Sequence, residues 1–401
     1  MNKIRLIQRK PNPPVWEKEV MDLFSLRKIE QVNRFHASFP IYRPTPLIEM
    51  KNTAAQLGAG DIFVKDESLR FGLNAFKVLG GSYAIGRYLA GRAGIRPEDL
   101  TYEKMVSEKV RKKTGETVFV SATDGNHGRG VAWTAHQLRQ KSVIYMPRGS
   151  SAERLASIRA EGADASITDL NYDDAVRLAA GQAREKKWVL VQDTAWEGYT
   201  DIPTWVMQGY GTMAYEAYRQ LAERPTHIFL QAGVGSMAGA VTAFFANAYR
   251  GEKPIITIVE PEAANCIFRT AEADDGKIHT VGGEMKTIMA GLACGEPCSI
   301  GWRILKNHAE NYLSCADSVA AKGMRILGNP ESGDARVVSG ESGAAAFGAA
   351  AEILTNPRLA GIKRALKLGP DSRILFFSTE GNTDRENYRS IVWDGKYPSG
   401  D

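Results

Sequence analysis

The sequence predicts an α/β protein built on two open, twisted, parallel-rich sheets with helices on both faces. Three observations predict it. Short, continuous apolar runs rich in β-branched residues alternate with helix-period segments along the chain, the pattern of strands buried on both faces. The 401 residues are 43% apolar and 24% charged, enough for two globular domains or one large one. No internal repeat or low-complexity tract points to a solenoid or a disordered chain.

Taken in order, residues 1 to about 40 are polar and proline-bearing and read as an extension packed on the body of the protein. Ile41-Tyr42-Arg43-Pro44-Thr45-Pro46-Leu47 is extended, because each proline disfavours helical backbone in the residue before it. Asp61 to Lys65 then reads as a strand, followed by a helix from Ala75 to Leu89. Thr117 to Ser121 is the next strand, with a helix through Val131, Ala132, Trp133 and Ala135. Ser142 to Met146 leads to a helix opened by Ser150 and Ser151 and running to Gly162. Ala165 to Thr168, a Tyr172 to Lys186 helix and Trp188 to Val191 repeat the alternation. A long helix from Thr204 to Leu221 precedes strands at Thr226 to Leu230, Ile255 to Val259 and Arg373 to Phe377. Trp205, Met207 and Tyr210 have helical spacing and read as core.

Composition excludes several functions. The net charge of +5 is small for this length, and no block of like charge with interleaved aromatics marks a nucleic-acid surface. Lys3, Arg5, Arg9 and Lys10 are followed by no continuous apolar segment, so neither a secretory signal nor a membrane span is expected, and the protein reads as cytoplasmic. Cys266, Cys294, Cys298 and Cys315 have no paired CxxC spacing that would make a zinc site. They read as buried and unpaired, with a disulfide as the minority alternative and no thiol nucleophile expected.

In open α/β sheets, ligands sit beyond the carboxyl ends of the strands. Four such junctions carry chemistry. Asn74 to Lys77 places a lysine among small and apolar neighbours, where loss of hydration favours the free, nucleophilic amine; the alternative is a surface lysine opening a helix. Thr123-Asp124-Gly125-Asn126-His127-Gly128 offers an acid beside backbone amides, or a helix cap with a locally bonded histidine. Gln231 to Gly239 follows a strand and opens a helix, so its glycines let amides point at a phosphate. A dinucleotide site competes there, because Glu260 ends the next strand near where a ribose-binding acid would lie. Ser378 to Asn382 presents the Thr379 hydroxyl or forms a simple turn, and Asp193 ends a further strand as a second carboxylate or a cap.

Together these junctions resemble the pyridoxal-phosphate enzymes of fold type II, the tryptophan synthase β-subunit group. Arg43 to Leu47 is similar to that group's opening segment, and Ala75-Phe76-Lys77 to its Ser-Phe-Lys. Thr123 to His127 is similar to its Ser-Ser-Gly-Asn-His loop, and Thr379-Glu380-Gly381-Asn382 to its Cys/Ser-Gly-Gly-Asn. Longer stretches resemble the diaminopropionate ammonia-lyases: Lys65 to Ser68 with Arg70 to Lys77, Asp124 to Trp133, Gln192 to Tyr199, Met289 to Pro297 and Ser339 to Gly343.

The resemblance implies a large domain of residues 1–85 and 196–401, a small domain of residues 86–195, and a homodimer. It implies pyridoxal 5'-phosphate as cofactor, no metal, and an amino-acid substrate, with neither nucleic acid nor membrane as partner. Lys77 would anchor the cofactor beside Phe76; Gly233, Val234, Gly235, Ser236 and Met237 would cradle its phosphate. Asn126 would meet its phenolic oxygen and Thr379 its ring nitrogen. Thr123, Asp124, Gly125, His127 and Asp193 would bind substrate. The implied reaction eliminates ammonia from D- and L-2,3-diaminopropionate to give pyruvate; Lys77, Asp124 and Asp193 would be its catalytic residues. A serine or threonine dehydratase of the same fold is the alternative.

Overall fold

A computed structural model describes residues 3–11, 18–123 and 125–398 of the chain. Among them, eleven strands form two sheets: β1 (Ile4–Gln8), β2 (Leu47–Glu49), β3 (Asp61–Asp66), β4 (Val118–Ala122), β5 (Lys141–Met146), β6 (Asp164–Ile167), β7 (Val189–Leu190), β8 (His227–Gln231), β9 (Ile255–Pro261), β10 (Asn311–Cys315) and β11 (Arg373–Ser378). The larger sheet has the order β1-β10-β9-β8-β11-β3-β2, and the smaller one β6-β5-β4-β7. All neighbours are parallel except the edge strands β1 and β2, which pair antiparallel with β10 and β3. Every residue of β8 and β10 is buried, as parallel strands covered on both faces must be. No helix among the described residues is long and apolar enough to cross a membrane.

The N-terminal segment is more than an extension. β1 closes one edge of the large sheet, with Ile4 opposite Cys315, and the Leu26–Ala37 helix buries Ile29, Val32 and Phe35 on one stripe. Its charged residues conceal that stripe in a composition count. The strand β10 also departs from an apolar run, because it contains Asn311 and Ser314. Both are buried and bonded: Asn311 Nδ2 donates to Thr257 Oγ1 at 3.3 Å, and Asn265 Nδ2 donates to Ser314 Oγ at 3.0 Å.

Helix packing sets the position of Lys77. The Val78–Ala93 helix crosses the Asp201–Gln220 helix at Gly209, where a Cβ would lie 2.2 Å from Leu79 O, so only glycine admits the crossing. Between β3 and that helix, the chain turns through left-handed Phe71 (φ 49°) and Asn74 (φ 59°). A buried charge network braces the turn. Arg70, 1% exposed, donates to Glu67 Oε2 (2.8 Å) and to both Glu216 oxygens (2.8 Å each), while Lys65 Nζ sits 2.7 Å from Glu216 Oε2. Thr45 Oγ1 donates to Glu67 Oε1 at 2.6 Å. Burial would raise the Glu216 pKa, but the Arg70 and Lys65 charges outweigh it and hold the carboxyl below its usual range.

Glu260 ends β9, yet it does not face a ribose site. Its oxygens accept the Ile267 and Phe268 N–H groups at 2.9 and 2.6 Å, satisfying the start of the Cys266–Ala273 helix, which removes the basis of the dinucleotide alternative. Burial pushes this carboxyl up to about 8, so it is protonated in the native chain over a range where the unfolded chain, titrating near 4.5, has lost its proton. Its contribution to stability is therefore full below the unfolded value and is lost as pH rises towards 8, at about 1 kcal/mol per pH unit. Denaturant unfolding of Glu260→Gln at several pH values across that window should show a shallower decline than the parent; parallel curves would contradict this.

Candidate active site

The carboxyl ends of β3, β4, β7, β8 and β11 converge on one cavity of about 800 Å³. Its wall includes Phe76, Lys77, Thr123, Asn126, His127 and Asp193, the Gly233 to Ala238 turn, and Thr379 with Glu380. The strand-end rule thus gathers side chains from residue 76 to residue 380 in one place.

Lys77 lies immediately before the Val78–Ala93 helix and is 21% exposed through its side chain. Its Nζ is in contact with Asp193 Oδ2 and stands 5.7 Å from the Phe76 ring centre. The expected apolar setting is therefore incomplete, since a carboxylate touches the amine. The Phe76 ring packs on Tyr210 with centroids 4.7 Å apart, and its backbone N–H donates to Thr379 O at 3.0 Å, joining the lysine turn to the end of β11.

Asp193 is buried. Burial alone would raise its pKa, but Lys77 and His127 hold the carboxyl well below the usual range. Tyr172 OH donates to its Oδ1 at 3.3 Å, and Ser236 Oγ donates to its main-chain carbonyl at 2.6 Å, tying this acid to the glycine turn. His127 Nε2–H donates to Val191 O at 2.8 Å. Thr123 Oγ1 accepts from the N–H groups of Gly125 (3.0 Å) and Gly128 (3.2 Å), so this hydroxyl shapes the loop as well as facing the cavity. Gly125 is not on the described wall; the Arg154 side chain, which is, lies over it. Asp124 lies outside the described residues.

Gly233, Val234 and Gly235 turn the chain into the Ser236–Ala248 helix. Gly235 has φ +90°, a conformation that favours glycine, and a Cβ there would stand 2.7 Å from Ile267 Cδ1 and push that side-chain end aside. The first main-chain bond of this helix is Gly239 N–H to Gly235 O at 2.8 Å, which leaves the N–H groups of Ser236, Met237 and Ala238 for an anion at the helix N-terminus. Opposite, Thr379 Oγ1 accepts from Gln231 Nε2 at 2.8 Å, so its own proton is available to donate into the cavity. An amine, an anion cradle and a hydroxyl donor suit pyridoxal phosphate: its carbonyl, its phosphate and its ring nitrogen. Among the described residues no cluster of His, Cys, Asp or Glu forms a metal site. Cys266, Cys298 and Cys315 are buried free thiols, and Cys294 reaches the cavity.

Several wall residues escaped sequence reasoning. Tyr172 read only as a helix start, and Tyr210 only as core, although it is core and wall at once. Arg148 to Ser150 follow β5, so the strand-end rule applied once more would have found them. Glu284 to Thr287 and Ser342 come from segments that no strand-end rule selects.

A family description, pyridoxal-phosphate dependent enzyme, matches residues 39–379. The diaminopropionate ammonia-lyase of Salmonella typhimurium is 50% identical over 371 residues, covering 91% of this chain and 92% of that protein. A crystal structure of diaminopropionate ammonia lyase from Escherichia coli in complex with D-serine superposes with a TM-score of 0.91 at 46% identity, covering 99% of this chain and 98% of the other. A second, holding an aminoacrylate-PLP azomethine reaction intermediate, has a TM-score of 0.89 at 46% identity and covers 98% of each chain. The chain belongs to the fold type II pyridoxal-phosphate-dependent enzymes and, within them, to the diaminopropionate ammonia-lyase family.

Proposed function

We propose that this chain eliminates ammonia from both D- and L-2,3-diaminopropionate, yielding pyruvate and two ammonia molecules, with pyridoxal 5'-phosphate as cofactor. The observation that carries the reading is the contact of the Lys77 amine with the buried Asp193 carboxylate, in one cavity with the Gly233–Gly235 turn and the Thr379 hydroxyl. Bound there, the cofactor supplies an electron sink that acidifies the substrate Cα proton.

The chain's own residues do the rest. Lys77 would anchor the cofactor through its amine, and the same amine would take the Cα proton of the L isomer. Gly233, Val234, Gly235, Ser236 and Met237 hold the phosphate through main-chain amides at the helix N-terminus. Thr379 would offer a neutral hydrogen bond to the ring nitrogen, which would favour loss of a β-substituent over racemisation or transamination. Asn126 would meet the phenolic oxygen. Asp193, kept ionised, would hold a substrate ammonium near Nζ, so that the β-group stays protonated and departs as neutral ammonia when the C–N bond breaks. Thr123, Gly125 and His127 shape the loop that receives the substrate carboxylate.

Asp124 would take the Cα proton of the D isomer. The D-serine complex of the Escherichia coli relative supports a site that admits a D-amino acid. The released enamine then hydrolyses in water to pyruvate and the second ammonia. In the same proposal residues 86–195 form the small domain of a homodimer's protomer.

Pyruvate and ammonia release, followed with each isomer and with serine, tests the activity; turnover of serine alone would favour the dehydratase alternative. For the division of labour, Asp124→Asn is expected to lower D-isomer kcat by about 100-fold or more while sparing the L isomer relatively. Equal losses on both isomers would refute it.

A further inference from the structure

Glu380 has no part in the chemistry above, yet it is 4% exposed and reaches the cavity wall. It stands where the resembling motif has glycine, so a charged side chain has been accommodated in a crowded place. Both its ends are held. Its main chain forms an antiparallel bridge with Ala75, and its carbonyl accepts the Gly340 N–H at 2.9 Å. Its carboxylate Oε1 accepts the Ser342 N–H at 3.2 Å in the first turn of the Glu341–Thr355 helix, where the helix dipole favours a negative charge. Its Oε2 accepts from Asn126 Nδ2 at 2.5 Å. Gly340 leaves room for the side chain: a Cβ there would lie 3.1 Å from Glu380 Cγ. The neighbouring Glu341 carboxyl is pushed up to about 7 by burial and by the Glu380 charge, so a proton there relieves repulsion between the two acids near neutrality.

The contact with Asn126 spans the cavity. Asn126 opens the Asn126–Gln137 helix beyond β4 of the smaller sheet, while Glu380 follows β11 of the larger one. A primary amide has two N–H donors. With one committed to a carboxylate, the flip state of the amide is set and the second N–H has a defined direction. A carboxylate alone among side chains of this length accepts from both Ser342 N–H and Asn126 Nδ2 without presenting a donor to either.

We infer that Glu380 is a positioning residue that fixes the Asn126 amide across the cavity, leaving its second N–H for the cofactor's phenolic oxygen. The inference rests on the reading of the cavity as a pyridoxal-phosphate site. It predicts that Glu380 acts on the cofactor only through Asn126.

The test is a double-mutant cycle on cofactor binding. Protein resolved from its cofactor is titrated with pyridoxal 5'-phosphate, and the dissociation constant and visible absorbance maximum are recorded for the parent, Glu380→Gln, Asn126→Ala and the double variant. Glu380→Gln and Asn126→Ala are each expected to weaken binding about tenfold and to shift the maximum, with the double variant no weaker than Asn126→Ala. Multiplying losses, or a Glu380→Gln variant with parental affinity and spectrum, would overturn the inference. If the glutamine variant does not fold, Glu380→Asp, which withdraws the charge by one methylene, takes its place in the cycle, with the same result expected and the same results overturning the inference. A parent protein that takes up no cofactor would sink the site reading itself, so the two failures are distinct.

Discussion

Lys77→Ala is expected to lose activity by a factor on the order of 10⁴ and to retain no borohydride-fixed cofactor on the peptide containing residue 77. The alanine variant also leaves Asp193 buried without the amine that touches it, which by itself destabilises the protein. Lys77→Arg separates the two effects. Arginine keeps a cation against Asp193 but has no amine that forms a covalent bond with a carbonyl, so it should fold and still be inactive. Mass spectrometry after reduction, together with ammonia release, reads both outcomes. An arginine variant with substantial turnover would return Lys77 to the role of a simple ion-pair partner.

Glu216→Ala is expected to destabilise the fold by about 3–5 kcal/mol, because it leaves one positive charge uncompensated in the interior. Lys65, Arg70, Glu67 and Glu216 form a neutral set; without Glu216, the Lys65 ammonium and the Arg70 guanidinium share one carboxylate. Adding Lys65→Met to Glu216→Ala restores the charge balance and should recover part of the loss, a coupling visible in denaturant midpoints. Strict additivity would mean that the network is not energetically shared. Since Arg70 braces the turn that ends at Lys77, activity should fall with stability in the single variant and partly recover in the double one.

Local pattern was sufficient where local physics dominates. The Tyr172–Lys186 helix has the boundaries its periodicity predicts, since Asn171 caps it, its side chain accepting from Asp174 N–H at 2.8 Å. The helix predicted from Ala75 begins instead at Val78. Ala75 pairs with Glu380 and the Phe76 N–H goes to Thr379 O, so distant backbone partners draw these two residues out of the helix. The strand β10 was hidden because its buried polar residues find hydrogen-bond partners only in the folded sheet.

The site divides along the same line. By itself, the sequence determined the parallel α/β class, the strand ends that bear Lys77, Asn126, Asp193, Gly233 to Met237 and Thr379, and the resemblance that joins them. These are properties of short segments, in which residue type and neighbours decide backbone direction and exposure. Only the tertiary structure decided that Asp193 touches Lys77, that Tyr172 and Tyr210 line the same cavity, and that Glu380 reaches Asn126 from the other sheet. Such contacts join residues tens to hundreds of positions apart, and their geometry comes from how two sheets and their covering helices pack, which no local spacing encodes.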